Sequence, residues 1–179
     1  MVSWSRKITY LVLISFLLSC ITPMTYVDYD EKVDFTEYSS FNFYATETIL
    51  NPAEEDILML LIENNLRSKG FNSSTFSKFS VDFYVEFFEV GNSAVSANDN
   101  SSFSNNVNYM SITINFSDTL TNELFWQAVV ERRTTRYISK EKKFKYFREL
   151  VNEALEQYPP KEEDNSEVNG DLVNNDIYK

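Results

Sequence analysis

The chain has 179 residues, 43% hydrophobic and 16% aromatic, with 27 acids against 16 bases and a net charge of −11, enough for one ordinary domain with its own core. Histidine is absent and cysteine occurs once, which excludes Ser-His-Asp and Cys-His catalysis, His-ligated zinc or haem, an internal disulfide and a cysteine cluster for metal. No cofactor is expected, and so acidic a chain is not expected to bind nucleic-acid phosphate.

Residues 1–19 have the layout of a secretory signal. Arg6 and Lys7 form a basic start, and Ile8 to Leu18 form an apolar run broken by Thr9 and Ser15, too short for a bilayer span and the right length for a signal peptide. The run ends in Leu17-Leu18-Ser19-Cys20, which resembles the bacterial lipobox, whose cysteine takes a diacylglycerol and becomes the new N terminus. The alternatives are an ordinary signal peptide with a chance cysteine, or an uncleaved anchor. Removal of residues 1–19 leaves 14 bases against 27 acids, a net charge of −13, so acyl chains rather than net charge must hold the protein to a membrane. Residue 21 is Ile, not Asp; by resemblance to the Gram-negative sorting rule this implies the outer membrane rather than the inner one, and the periplasmic face is the expected side, with surface exposure the alternative.

Residues 20–26 are expected to be the lipidated cysteine and a tether, and residues 27–160 a single domain. Val27 to Asp30 is a brief strand candidate, and Tyr38 to Tyr44 a second, with Phe41 and Phe43 on one face. Asn51 is a good N-cap for a first helix: Pro52 fits its first position, and Glu54, Glu55 and Asp56 suit the positive end of its dipole. Ile57, Leu58, Leu61, Ile62 and Leu66 form its apolar stripe, and Lys69-Gly70 stops it. Val81 to Val90 is a strand with Val81, Phe83, Val85 and Phe87 on one face. Gly91 to Asn108, rich in Asn and Ser without periodicity, reads as a long loop. Tyr109 to Asp118 and Leu124 to Arg132 alternate as two more strands. Ser139 starts a second helix with Phe144, Phe147, Val151, Ala154, Leu155 and Tyr158 on one face, and Pro159-Pro160 ends it. Residues 161–179, acidic and poor in apolar side chains, should be a disordered tail.

The order β-β-α-β-β-β-α predicts an α+β fold, a mainly antiparallel sheet of about four to five strands with both helices on one face. Parity fixes the expected hairpin. Met110, Ile112, Ile114 and Phe116 face the core from one strand and Leu124, Trp126, Ala128 and Val130 from the next, so opposed residues have an even sum. Phe116 opposite Leu124 places Ile114 opposite Trp126. It leaves a three-residue loop with Asn122 or a neighbour in the left-handed conformation.

Four groups of residues in this order and spacing resemble a bacterial lipoprotein family, domain of unknown function 4136. They are Val27-Asp28-Tyr29-Asp30 with Val33-Asp34-Phe35 and Tyr38 to Phe43; Leu66 to Phe71 followed by Val81 to Val85; Ile112-Thr113-Ile114 with Asp118 and Leu124-Phe125-Trp126; and Val151, Leu155 and Tyr158-Pro159-Pro160. Gln127-Ala128 departs from the basic residue and Gly usual there. The resemblance implies an envelope lipoprotein with a small α+β domain and carries over no catalytic residue.

The remaining residues offer few sites. Asp28, Asp30 and Asp34 lack the spacing of a calcium loop and suit turns and a strand edge. Arg132, Arg133, Arg136, Lys140, Lys142 and Lys143, with Lys145 and Arg148 beyond, form a basic run in an acidic protein. They are either an anion patch for lipid headgroups, lipopolysaccharide phosphate or an acidic partner, or a solvated face paired with the protein's own acids. Tyr84, Phe88, Phe125 and Val129 alternate away from the core and form a candidate ligand or partner face. The expected function is a non-enzymatic envelope lipoprotein, a binding or structural accessory whose partners are the membrane through its lipid and an envelope protein or anionic lipid. The alternatives are a carboxylate-dependent hydrolase of an envelope polymer and a carrier of an apolar ligand.

Overall fold

The computed structural model describes residues 23–44, 49–95 and 102–160; the expected signal segment, Cys20 and the expected tail lie outside these. The elements are β1 (Met24–Tyr29), a 3-10 turn (Phe35–Glu37), β2 (Ser40–Phe43), α1 (Pro52–Ser68), β3 (Asn72–Ser73), β4 (Phe79–Val95), β5 (Ser102–Asp118), β6 (Leu124–Thr134) and α2 (Lys140–Leu155). The six strands form one sheet in the order β1-β6-β5-β4-β2-β3. The fold is α+β, with both helices on one side. The sheet is mixed, because β2 runs parallel to both β3 and β4 while the other pairs are antiparallel. The α1 crossover forces that direction: a chain that leaves β2 and returns through a helix re-enters the sheet parallel. The extra strand, β3, is two residues long and has no periodicity to read.

Local sequence sets the helix ends. The Asn51 side chain accepts from the backbone N–H of Glu54 at 3.1 Å, Ser139 accepts from Lys142 N–H at 3.3 Å, and Gly70 has φ +97°, where a Cβ would be strained. Leu58, Ile62 and Leu66 of α1 and Phe147, Leu150, Val151, Ala154 and Leu155 of α2 are buried. They meet Val81, Phe83 and Val85 of β4, Met110 to Phe116 of β5 and Trp126 to Val130 of β6 at alternate positions. Phe87, expected in the same row, is half-exposed, with the Lys143 ammonium of α2 over its ring. The helices run side by side in one direction: Lys143 Nζ reaches Glu54 Oε1 at 2.8 Å near their starts, and Asn65 bonds Asn152 near their ends.

Three expectations change. The Asn/Ser segment 91–108 is mostly strand, not loop. Residues 91–95 pair with 102–106 in unbroken register, and only 96–101 lie outside the described residues. Ladder bonds join backbone to backbone whatever the side chains, so polar residues can extend strands that the hydrophobic halves have already aligned. The second change is at the start of the domain: β1 begins at Met24 and so takes in three residues of the expected tether.

The third change is the hairpin register. Trp126 is buried as expected, but opposite Phe116, with Ala128 opposite Ile114, so the sum is 242 rather than 240. A bulge between Phe116 and Ser117 absorbs the difference. Asn122 does take the left-handed conformation, φ 59°. Asp118 N–H bonds Glu123 O at 2.9 Å, which leaves four residues in the turn. The bulge breaks the alternation. Leu124, expected in the core, is 52% exposed, whereas Phe125, expected on the outer face, is 4% exposed and stacks on Tyr38 at 4.2 Å. Phe125 joins an aromatic cluster with Phe35, Phe79, Phe116 and Tyr158. Trp126 stacks on Phe116 at 4.6 Å beside it.

Candidate functional site

The side of the sheet opposite the helices carries the candidate face. Even residues of β4 and β1 and odd residues of β5 and β6 point there, and the registers place them in rows. One row runs Tyr84, Thr113, Val129, Tyr26. Tyr84 is 43% and Tyr26 61% exposed. On one side the row is flanked by Asp82, Asn115, Gln127 and Asp28, where Gln127 Nε2 donates to Asn115 Oδ1 at 2.7 Å. On the other lie Glu86, Ser111, Glu131 and Met24. The Tyr84 hydroxyl donates to Asp82, and this bond raises its pKa. Further along, Phe88 stacks on Tyr109 directly opposite, rings 5.5 Å apart. Of the four residues expected here, Tyr84, Phe88 and Val129 share the face and Phe125 does not, because the bulge turns it into the core. Tyr26 and Met24 were missed, although their alternation with Thr25 and Val27 is legible once the strand starts at Met24. The arrangement presents aromatic and aliphatic groups bordered by the carboxylates of Asp28, Asp82, Glu86 and Glu131.

The six residues expected as an anion patch are not brought together. Arg132 points to the helix side, pairs with Glu149 and lies over the Tyr146 ring. Lys143 is held by Glu54 and covers Phe87. Arg133 points to the other side of the sheet. Arg133, Arg136, Lys140 and Lys142 are exposed, with no ion pair among the described residues. Lys140 lies over the Phe144 ring and Lys142 over the Tyr146 ring, each 5.5 Å from the centroid.

The acids of the first loop act as caps. Asp30 Oδ1 accepts from Lys32 N–H at 2.9 Å. Asp34 Oδ1 accepts from the N–H and hydroxyl of Thr36 at 2.9 and 2.6 Å; these bonds, the hydroxyl's first, lower its pKa. At the far turn the Tyr38 hydroxyl donates to Asp118 Oδ2 at 3.0 Å, while Asp118 Oδ1 accepts from the N–H groups of Leu120 and Thr121. Burial first, and then this bond, push Tyr38 up to about 12. The Thr121 N–H leads the groups that hold Asp118 below the usual carboxylate value. This network ties the 3-10 turn to the β5–β6 turn. Among the described residues no group of three acids or cysteines is placed to hold a metal. Hollows of about 400 and 540 Å³ flank Pro159-Pro160, and Glu156 is the one carboxylate lining either. Among the described residues no helix is long and apolar enough to cross a membrane.

The chain is similar in fold to a PDZ domain protein from Parabacteroides distasonis, at TM-score 0.56 and 14% identity, over 85% of this chain and 40% of that one. It thus spans less than half the length of that structure. It is also similar to a PelC dodecamer from Paraburkholderia phytofirmans, at TM-score 0.48 and 12% identity, over 74% of this chain and 95% of that one. No curated protein matches the chain. The family model described as domain of unknown function (DUF4136) matches residues 25–160, the stretch that holds every strand and helix described above save the first residue of β1, and the chain belongs to that family.

Proposed function

We propose that this protein is a non-enzymatic envelope lipoprotein, a binding or structural accessory, held at the periplasmic side of the outer membrane through an acylated Cys20. In this reading the domain grips a partner through the open sheet face. The observation that carries it is the row Tyr26, Val129, Thr113, Tyr84. Large aromatic side chains stand exposed on a rigid four-strand surface, on the side without helices. Contiguous exposed apolar groups of this kind mark contact sites, and tyrosine suits interfaces because it offers a large ring with a polar tip. The bordering carboxylates suit an envelope protein segment with apolar and basic side chains. The lipobox and the Ile21 that follows it support the address.

A photo-crosslinking amino acid at position 84, introduced in cells, tests the face. A discrete envelope-protein adduct is expected from position 84 and not from position 60, exposed on α1. The same adducts from both positions, or none from 84, would overturn it. Mass spectrometry of the mature N terminus tests the anchor, and an unmodified Cys20 in membrane-bound protein would sink it. Turnover of peptidoglycan or a glycoside by the purified protein would overturn the non-enzymatic reading, and a co-purified lipid in native mass spectrometry would favour the carrier.

A further inference from the structure

We propose that the outer edge of β1 takes up a further strand, an extended basic segment of the protein held on the open face. The proposal rests on the reading of that face as a partner surface and names how the partner is held. The backbone comes first. Asp30 N–H bonds Phe125 O at 3.1 Å, and the β1–β6 register repeats that parity: Asp28 lies opposite Gln127, Tyr26 opposite Val129 and Met24 opposite Glu131. In an antiparallel ladder such opposed pairs exchange both bonds, and the residues between them turn their N–H and C=O groups to the far side. Thr25, Val27 and Tyr29 therefore point their backbone groups along the outer edge of the sheet, and among the described residues none of these groups has a partner. At the opposite end of the sheet β3 is two residues long, a common way to blunt an edge. β1 has no such device. It is six residues in unbroken register, with no Lys, Arg or Pro among them.

Side chains and charge then decide which strand fits. Directly opposed residues share a face. A residue of the added strand opposite Val27 or Tyr29 points to the helix side, into the hollow of about 540 Å³ that these two line with Glu156, Gln157, Pro159 and Pro160. A lysine or arginine there lays its stem on apolar surface and brings its charge to Glu156. A residue opposite Tyr26 or Asp28 points to the open face, where the Tyr26 ring and the Asp28 carboxylate both suit a cation. The charged groups around this edge are mostly acids. Asp28 and Glu131 lie on the open face, Glu153 accepts from the Thr25 hydroxyl on the helix side, and Asp30 and Glu31 follow the strand. Of the bases, Arg132 and Lys145 both pair with Glu149, Lys32 lies in the turn after β1, and Arg133 lies beyond Glu131, past the start of β1. That balance disfavours the two occupants this chain could supply. Residues 161–179 follow Pro160 with six acids against two bases, and β1 of a second copy brings Asp28 and Asp30 to an edge that already holds them. A basic segment of another protein is the occupant the charges select.

The test places a photo-crosslinking amino acid in the full chain, in cells, at position 84 on the open face or at position 157, an exposed residue that lines the hollow. The same envelope protein is expected as the adduct from both, and the peptide cross-linked at 157, sequenced by mass spectrometry, is expected to carry Lys or Arg. Val27→Pro removes one outward N–H and leaves the bonds between β1 and β6 in place, while Val27→Thr keeps both the N–H and the side-chain shape. Adduct yield from both positions should fall at least tenfold with Val27→Pro and stay within twofold with Val27→Thr. An unchanged melting temperature shows that the proline variant folds; if it does not, Asp28→Lys with Glu156→Lys serves, with the same tenfold loss expected. Yields that these changes leave intact, or an adduct from 84 and none from 157, would overturn the added strand and leave the face standing. A cross-linked peptide from residues 161–179, or from β1 of a second copy, would overturn the basic partner. No adduct from 84 would overturn the reading of the face and this inference with it.

Discussion

The two faces of the sheet are made by the same strands and carry opposite chemistry. On the helix side, Val81, Phe83, Val85, Ile112, Ile114, Trp126 and Ala128 are buried at every second position. On the other side, Asp82, Tyr84, Glu86, Thr113 and Gln127 alternate between them, partly or fully exposed. Packing constrains the first face, since a buried side chain that loses volume leaves a cavity its neighbours fill only in part. The second face is tied mainly by backbone bonds, which do not depend on side-chain identity. Stability is concentrated on one side, and freedom to evolve contacts lies on the other. The exception is informative: at Phe125 a bulge carries a residue across from the free face to the constrained one.

The sharpest way to break this comparison is to cut the core on both sides of the bulge. Trp126→Ala is expected to cost about 3–5 kcal/mol in urea denaturation, the range for a large core aromatic. Phe125→Ala should fall in the same range, although simple alternation assigns it to the surface. A cost for Phe125→Ala no greater than for Val129→Ala would show that the bulge does not bury it. Tyr38 sits at the rim, its ring on Phe125 and its hydroxyl on Asp118, and is expected to have a smaller, pH-dependent effect. Its folded pKa of about 12 lies above the ordinary 10, so its contribution is complete below pH 10 and lost as pH rises through 12. At the other end of the bond Asp118 is lowered from 3.8. Its contribution is present above that value and lost as pH falls through its lower folded value. Melting temperatures in a pH series should show Tyr38→Phe less stable near neutrality and losing less than wild type between pH 10 and 12. Parallel curves would show that the bond adds nothing. The smallest effect is expected on the open face. Tyr26→Ser with Tyr84→Ser should change stability by about 0.5 kcal/mol or less, and Tyr26→Ser alone should abolish the partner adduct formed from position 84. A large loss of stability would mean that these rings hold the fold rather than a partner.

The elements with strong patterning were legible before the structure. The capped start of α1 at Asn51-Pro52, the stop at Gly70, Ser139 at the head of α2 and the inward rows of β4, β5 and β6 follow from side-chain chemistry a few residues apart. Polar strand was not legible. Residues 102–108 lack the alternation that marks a strand, and they pair because Tyr109 to Asp118 is already aligned with β4. The candidate face was half legible. Tyr84, Phe88 and Val129 follow from alternation; Tyr26 depends on β1 starting at Met24, and Phe125 was lost to the bulge.

What the sequence determined by itself is whatever depends on neighbours in the chain: helix ends, alternation, the even parity of the hairpin, the left-handed Asn122 and the family to which residues 25–160 belong. Only the tertiary structure decided the rest. That includes the parallel direction of β2, which α1 dictates, and the two-residue shift that buries Phe125 and exposes Leu124. It also includes the scattering of the basic run, with Lys143 held by Glu54, Arg132 by Glu149 and Arg133 turned to the other side of the sheet. Each of these depends on which strand or helix lies alongside, through contacts between residues distant in the chain, and local spacing holds no record of them.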